Sequence, residues 1–531
     1  MQHRNPTVTA SICRLALPAA LPAALFCLGS SAAAQTDAVI EPTTLLVAGS
    51  DKAIGTVIAR IEALGYAVSI GPTLEALGLT ELSIEPPVDS PIDTAEILEE
   101  VSGDATPPGI DSLGFNFEFG IGGGQTGSLW VTRAVPHTTS DFESQYGVGA
   151  IGLGAGAPIR STGRGVIVGV LDTGVFPVGD LAMTVVARGY DAFTDLPTPE
   201  GSPAIDPGGD GIDSDGDRAI DECVGHGSFV GSIIARVAPE ARQLHARCVD
   251  SDGRTSTALI ARALNFAVLG GAQVVNISAV VSDTPPVLDA AILAARARGV
   301  TIVASAGNVP QNLVAYPAAY PDVACVASSD AFGQFSQSFS TFGPTVDFCA
   351  PGETLYLGSP AAPEPAEGRE IIGIIGEDAA QPGTPLYATA SGTSFSAAWT
   401  SGAAALVRSG RPEWPGTAIP PQSIASAIIS RLKVTAAAFA SPPTCGGCSG
   451  NTGTGILNCH TATNFIDPLV VPTAPFDVVP GAGAPRIDGA DLAALLSSWG
   501  PVTPGAISYA DLDGDGAVTA ADLARLLSNW N

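Results

Sequence analysis

Positive charge is scarce in this chain of 531 residues: 23 Lys and Arg stand against 52 Asp and Glu, for a formal net charge of −29. Such a chain repels phosphate, which argues against nucleic-acid binding as its function. Histidine is also scarce, at five residues, so the choice of a catalytic base is narrow. Long apolar runs are missing after the N-terminus, and no membrane span is expected there. The one candidate, residues 15–29, follows Arg4 and Arg14 and precedes Ser31-Ala32-Ala33-Ala34-Gln35. It is too short to span a bilayer. Its layout is that of a secretory signal peptide over residues 1–34, with cleavage expected after Ala34 and a secreted or extracellular product.

Loss of that segment removes Cys13 and Cys27 and leaves seven cysteines. In an oxidising compartment most of them should pair. Cys223 with Cys248 and Cys325 with Cys349 are the expected bridges, each linking neighbouring segments. Cys445, Cys448 and Cys459 then supply one more bridge and one leftover thiol. Half a zinc site at Cys445-Gly446-Gly447-Cys448 is the weaker alternative, because no second close pair follows.

Residues 35–140 read as a small α+β unit. Amphipathic patterning covers 54–65, a strand 66–70 and a short helix 93–101, before a Gly-rich joint at Gly120-Ile121-Gly122-Gly123-Gly124. From 141 to 466 the pattern changes. Gly165-Val166-Ile167-Val168-Gly169-Val170-Leu171 is apolar throughout, and 273–277 and 300–305 are largely so. Such runs suit strands buried on both faces of a parallel sheet. Helical stretches at 226–237, 257–269 and 286–298 lie between them, so a doubly wound α/β domain is expected, with active groups at the carboxyl ends of its strands. Residues 467–484 are a Pro-containing linker. In 485–531 the pattern IDGADLAALLSSW returns 31 positions later as VTAADLARLLSNW, which predicts a small all-α module.

Four motifs of the middle region carry chemistry. Asp172 directly follows a buried strand, His226 stands between glycines at the start of an apolar helix, and Asn308 ends Ala304-Ser305-Ala306-Gly307-Asn308. Ser394, in Ser391-Gly392-Thr393-Ser394, sits at the first turn of an Ala-rich helix, where free N–H groups and the dipole favour negative charge. Singly, each has an ordinary reading: a turn acid, a packed histidine, a left-handed turn, a helix cap. Together they form a nucleophile, a base, an acid that orients the base, and an oxyanion donor. Elimination also selects His226. His3 leaves with the signal, His137 lies in the N-terminal unit, His245 falls in a strand-like run, and His460 lies near the domain end.

The order Asp, His, Asn, Ser on this pattern resembles the subtilisin-like serine proteases over residues 141–466. Tyr316-Pro317-Ala318, Val346-Asp347-Phe348-Cys349-Ala350-Pro351-Gly352 and Gly453-Thr454-Gly455-Ile456-Leu457-Asn458 add to the likeness. The resemblance implies a subtilisin-like doubly wound parallel sheet and a secreted serine endopeptidase. Asp172, His226 and Ser394 would be its triad and Asn308 its oxyanion donor, working through an acyl-enzyme on protein or peptide substrates without a catalytic cofactor. It implies that residues 35–140 are a propeptide, a folding assistant and inhibitor, cut between positions 122 and 140. It gives substrate contacts to Ser278, Ala279 and Val280 and to Ala304, Ser305, Ala306 and Gly307. There are two departures. Phe395-Ser396-Ala397-Ala398-Trp399 replaces the family's Met-Ala-Ala-Pro-His, and Ser278-Ala279-Val280-Val281 replaces Ser-Leu-Gly-Gly, where valines are expected to narrow or reshape the pocket.

The tail carries an EF-hand-type loop with Asp511, Asp513, Asp515 and Asp522 as oxygen ligands and Gly516 at the turn. With its repeat it resembles a dockerin-like module, which implies structural Ca2+ and a cohesin-type partner. A stabilising tail with no partner stays open. The first copy keeps only Asp488 and Asp491, so one calcium site is expected. A second acidic loop, with Asp213, Asp215, Asp217 and Asp221, resembles thrombospondin-repeat calcium loops, beside a reading as a solvated turn. The rival function is a catalytically weak protease-like scaffold acting as an extracellular calcium-dependent binding protein. A lipase or esterase on an α/β-hydrolase sheet is disfavoured, because its chain order is Ser, Asp, His and no G-x-S-x-G elbow surrounds Ser394.

Overall fold

The computed structural model describes residues 39–464 except 88–90, 103–105, 122–132, 135–136, 155–160, 215–218, 282–284, 360–361, 380 and 412–419, together with a few positions beyond 495. The expected signal peptide, the linker and the calcium ligands Asp511, Asp513, Asp515 and Asp522 lie outside the described residues, as do Asp215 and Asp217.

The N-terminal unit runs β1 (Val39–Gly49), α1 (Asp51–Ala63), β2 (Ala67–Leu74), β3 (Leu79–Glu85), α2 (Thr94–Val101) and β4 (Ile110–Ile121). Each helix starts on a side-chain cap: Ser50 Oγ accepts from Ala53 N at 3.4 Å, and Asp93 Oδ1 from Glu96 N at 3.0 Å. The buried stripe Ile54, Val57 and Ile61 of α1, with Ile97 and Val101 of α2, closes over Leu45, Val47, Leu82, Ile84 and Phe115 of the sheet. This unit therefore has a core of its own.

The larger part continues as β5 (Ile167–Asp172), α3 (His226–Val237), β6 (Arg242–Arg247), β7 (Arg254–Ser256), α4 (Thr257–Leu269), β8 (Val274–Ile277), β9 (Ala279–Val280), α5 (Pro286–Ala297), β10 (Thr301–Ser305), β11 (Ala324–Ser329) and β12 (Phe348–Pro351). Its main sheet has the order β12-β11-β10-β8-β5-β6, all parallel, extended by two short strands at Tyr190–Asp191 and Leu196–Pro197. A hairpin, β13 (Ile371–Glu377) and β14 (Pro385–Ala390), leads to α6 (Thr393–Ser409) and then α7 (Ile424–Val434). Helix α6 is buried from Thr393 to Arg408. It reaches α3 closely because residue 402 is glycine: a Cβ there would lie 2.5 Å from Cβ of Val237.

One sheet joins the two units. β4 lies antiparallel between β7 and β9, with Arg254 opposite Gly120, Ser256 opposite Glu118, Ala279 opposite Ile121 and Val280 opposite Gly120. Around this seam Asn116 Oδ1 accepts from Ala258 N at 2.8 Å, at the start of α4. Arg262 grips Glu81 with Nε–Oε1 at 2.7 Å and Nη2–Oε2 at 2.5 Å, and Glu81 is 2% exposed.

The disulfide expectation needs correction. The structure bridges Cys445 to Cys448 and leaves Cys459 over, as expected, but neither Cys223–Cys248 nor Cys325–Cys349 is joined. On adjacent strands Cys349 faces Ala327, so Cys325 is two residues out of step. That diagonal is about 8 Å between Cα atoms, beyond the reach of a bridge. No helix among the described residues is long and apolar enough to cross a membrane.

Candidate active site

Asp172 is the last residue of β5 and is 1% exposed. Its Oδ1 accepts from Thr173 N at 2.8 Å and stands 2.7 Å from His226 Nδ1. His226, also 1% exposed, opens α3. The glycines around it let this helix start lie close to β13 on one side and to the end of β5 on the other. Gly225 takes a left-handed φ of 85°, and a Cβ on it would lie 2.4 Å from Ile375 O. A Cβ on Gly227 would lie 2.2 Å from Gly174 O. Gly227→Ala is therefore expected to destabilise the fold by about 1–3 kcal/mol, read as a lower Tm, because backbone has to move to admit the methyl.

Ser394 is the second residue of α6 and is 3% exposed. It does not cap the helix: the N-cap is Gly392, and no side-chain cap bond is made. The next residue, Phe395, packs against Phe229 with the rings tilted by 42° at 4.4 Å between centres, and against the His226 ring, tilted by 43°, at 5.8 Å. Phe395 thus carries the start of α6 against the start of α3. Asn308 follows β10 after a turn through Gly307 at φ 112°. Its Oδ1 accepts from Thr393 N at 2.9 Å and from Thr393 Oγ1 at 2.8 Å, which leaves Nδ2 as the group able to donate. Asp172, His226, Asn308 and the residues flanking Ser394 therefore meet at the carboxyl end of the parallel sheet, the position that open α/β sheets use for their sites.

The family description Subtilase matches residues 163–453, more than half of the chain. The chain belongs to the subtilase family. Subtilisin BL of Lederbergia lenta is 28% identical over 311 residues, 57% of this chain and 92% of that protein. The alkaline protease of Alkalihalobacillus alcalophilus is 28% identical over 335 residues, 61% of this chain and 71% of that protein. Among solved structures, fervidolysin from Fervidobacterium pennivorans, a keratinolytic enzyme related to subtilisin, superposes with a TM-score of 0.58 at 20% identity, over 85% of this chain and 65% of its own. That likeness concerns the fold. This subtilase is a serine endopeptidase with a subtilisin-like α/β fold.

In the subtilase the expected substrate residues are buried. Ser278, Ala279 and Val280 form and precede β9, and Ala304 to Gly307 end β10 and its turn. Ser278 Oγ accepts from Asn276 Nδ2 at 3.0 Å, and Asn276 Oδ1 accepts from Ser401 Oγ at 2.9 Å, so β9 is braced from α6. His245 is fully buried on β6, and burial lowers its pKa to about 4. A ring neutral at working pH suits the structural reading given to it.

Of the four expected ligands in the acidic loop, Asp213 and Asp221 are among the described residues. Asp221 spends its carboxylate on the loop's own backbone, Oδ1 accepting from Asp210 N and Oδ2 from Gly211 N, each at 2.8 Å. Its own N–H donates to Asp252 Oδ1 at 2.8 Å. Asp213 and Asp221 belong to no group of three or more His, Cys, Asp or Glu able to hold a metal among the described residues.

Sequence reasoning missed two residues near the pair. Thr393 sits within the serine motif and fixes the Asn308 amide. Asp206 is 3% exposed and lies in the segment between Asp172 and His226, with no motif to signal it.

Proposed function

We propose that this subtilase is a secreted zymogen that hydrolyses peptide bonds with Ser394 as nucleophile, His226 as base and Asp172 as the acid that orients it. The observation that carries the reading is the buried 2.7 Å contact of His226 Nδ1 with Asp172 Oδ1 beside the uncapped start of α6. Ser394 Oγ attacks the scissile carbonyl carbon, and its proton passes to His226 Nε2. The Asn308 amide and the Ser394 N–H receive the oxyanion. The proton then goes to the leaving amine as the C–N bond breaks. Water, deprotonated by His226, hydrolyses the acyl-enzyme.

The zymogen reading is supported by β4. It pairs with β9, the strand given to substrate, so it takes backbone hydrogen bonds that a substrate would need. Residues 35–140 on this reading are the propeptide, cut between positions 122 and 140. Secretion rests on the layout of residues 1–34. Structural calcium rests on the loop with Asp511, Asp513, Asp515 and Asp522, and a cohesin-type partner rests on the repeat that contains it.

The test is labelling of the secreted, processed protein with a fluorophosphonate probe, followed by mapping of the modified peptide, with and without a calcium chelator. Labelling at Ser394 is expected, and slower unfolding with calcium than with chelator. Absence of labelling in a folded, processed protein would favour the weak scaffold instead.

A further inference from the structure

The residues around the Asp172–His226 pair converge on one carboxylate that the chemistry above does not use. Asp206 Oδ2 accepts from Thr173 Oγ1 at 2.8 Å and from Gly225 N at 2.9 Å, and its Oδ1 accepts from Gly208 N at 2.9 Å. Thr173 Oγ1 in turn accepts from Gly227 N at 3.1 Å. Thr173 N is the donor to Asp172 Oδ1. The two N–H groups that bracket His226 and the residue next to Asp172 are thereby tied to a single hub. The hub is itself fixed by backbone: Asp206 N donates to Val175 O at 3.2 Å, and Val175 N to Ala204 O at 2.8 Å.

Among the described residues Asp206 makes no ion pair. Burial pushes its carboxyl up, and its three donors offset part of that rise. A buried carboxylate satisfied by backbone and hydroxyl donors alone is costly to keep. What it supplies is two acceptor atoms of fixed direction at the junction of strand and helix, where sub-ångström error in the Asp–His contact is expensive.

We propose that Asp206 is a positioning residue for the Asp172–His226 pair, holding the end of β5 and the start of α3 together through Thr173 and Gly225. The proposal rests on the triad reading above.

The experiment compares the full-length secreted protein with Asp206→Asn, Thr173→Val and Thr173→Ser. It reads kcat and KM on a chromogenic peptide and the rate of fluorophosphonate labelling. Asp206→Asn and Thr173→Val are expected to lower kcat and the labelling rate together by about 10- to 100-fold, with KM changed by less than about two-fold. Thr173→Ser keeps the hydroxyl and is expected to recover most of what Thr173→Val loses. Folded Asp206→Asn and Thr173→Val proteins with wild-type kcat and labelling rate would overturn the proposal. Equal kcat in Thr173→Ser and Thr173→Val would overturn it even if Asp206→Asn does not fold. Failure of both Asp206→Asn and Thr173→Val to fold would make the hub purely structural and also overturn it. A wild-type protein that takes no label would instead overturn the triad reading.

Discussion

Ser394→Ala is expected to lower peptide turnover by about 10⁶-fold and Asp172→Asn by about 10⁴-fold, each measured as kcat on a chromogenic peptide with the fold checked by thermal unfolding. The alanine removes the attacking oxygen while leaving α6 unchanged, since Ser394 makes no capping bond that would be lost. The asparagine is the more informative change. Asp172 Oδ1 holds the Nδ1 side of His226, which on the proposed triad assigns the serine proton to Nε2. An amide in its place offers an N–H to Nδ1 and favours the opposite tautomer, in which Nε2 already carries a proton. The same substitution removes the anion that would stabilise the imidazolium. Asp172→Asn activity within ten-fold of wild type would remove Asp172 from the triad. Residual turnover in Ser394→Ala beyond the background would move the nucleophile elsewhere.

The second large effect is expected at the seam between the units. Arg262→Ala leaves the Glu81 carboxylate buried without its cation, a loss of about 3–5 kcal/mol for a pair of this kind. In a processed protein, the N-terminal unit should then dissociate from the protease domain about 10²- to 10⁴-fold more readily. The measurement is the Kd for the cleaved unit, taken as inhibition of turnover, compared with the fraction that co-elutes in gel filtration. The guanidinium also donates to Ala192 O at 3.0 Å, so Arg262→Lys restores the charge but not the fork. An unchanged Kd in Arg262→Ala would mean that β4 pairing alone holds the unit.

What could be read from sequence follows how local the information is. The strands β5, β8 and β10 were legible because burial on both faces writes a largely apolar run, interrupted in β8 only by Asn276. The flanking glycines of His226 were legible because close approach of backbone admits nothing larger. The positions of β1, β3 and β4 were not, since their partners lie far away in the chain and β4 finds two of them across the seam. The same limit explains the cysteines. Proximity in sequence suggested Cys325 with Cys349, whereas strand register places Asp347 beside Cys325. In the loop around Asp221 the aspartates alternate as metal ligands do, yet Asp210 and Asp221 accept from backbone N–H groups, a second use that composition cannot distinguish from the first. Asp206 was silent because its role depends on three donors from separate segments.

The strand seam also limits what the enzyme can digest. On the zymogen reading proposed above, departure of β4 would leave a slot between β7 and β9 two strand spacings across, about 9.5 Å. A helix is about 10–12 Å wide with its side chains and has no spare backbone groups to offer the slot's two edges. One extended segment fits, bonded on both sides. Native globular proteins should therefore be cut only where a loop or a frayed terminus can straighten over several residues, and their digestion rate should follow how often they open locally. Denatured chains should be consumed far faster than the same chains folded, whatever side chains the pocket prefers.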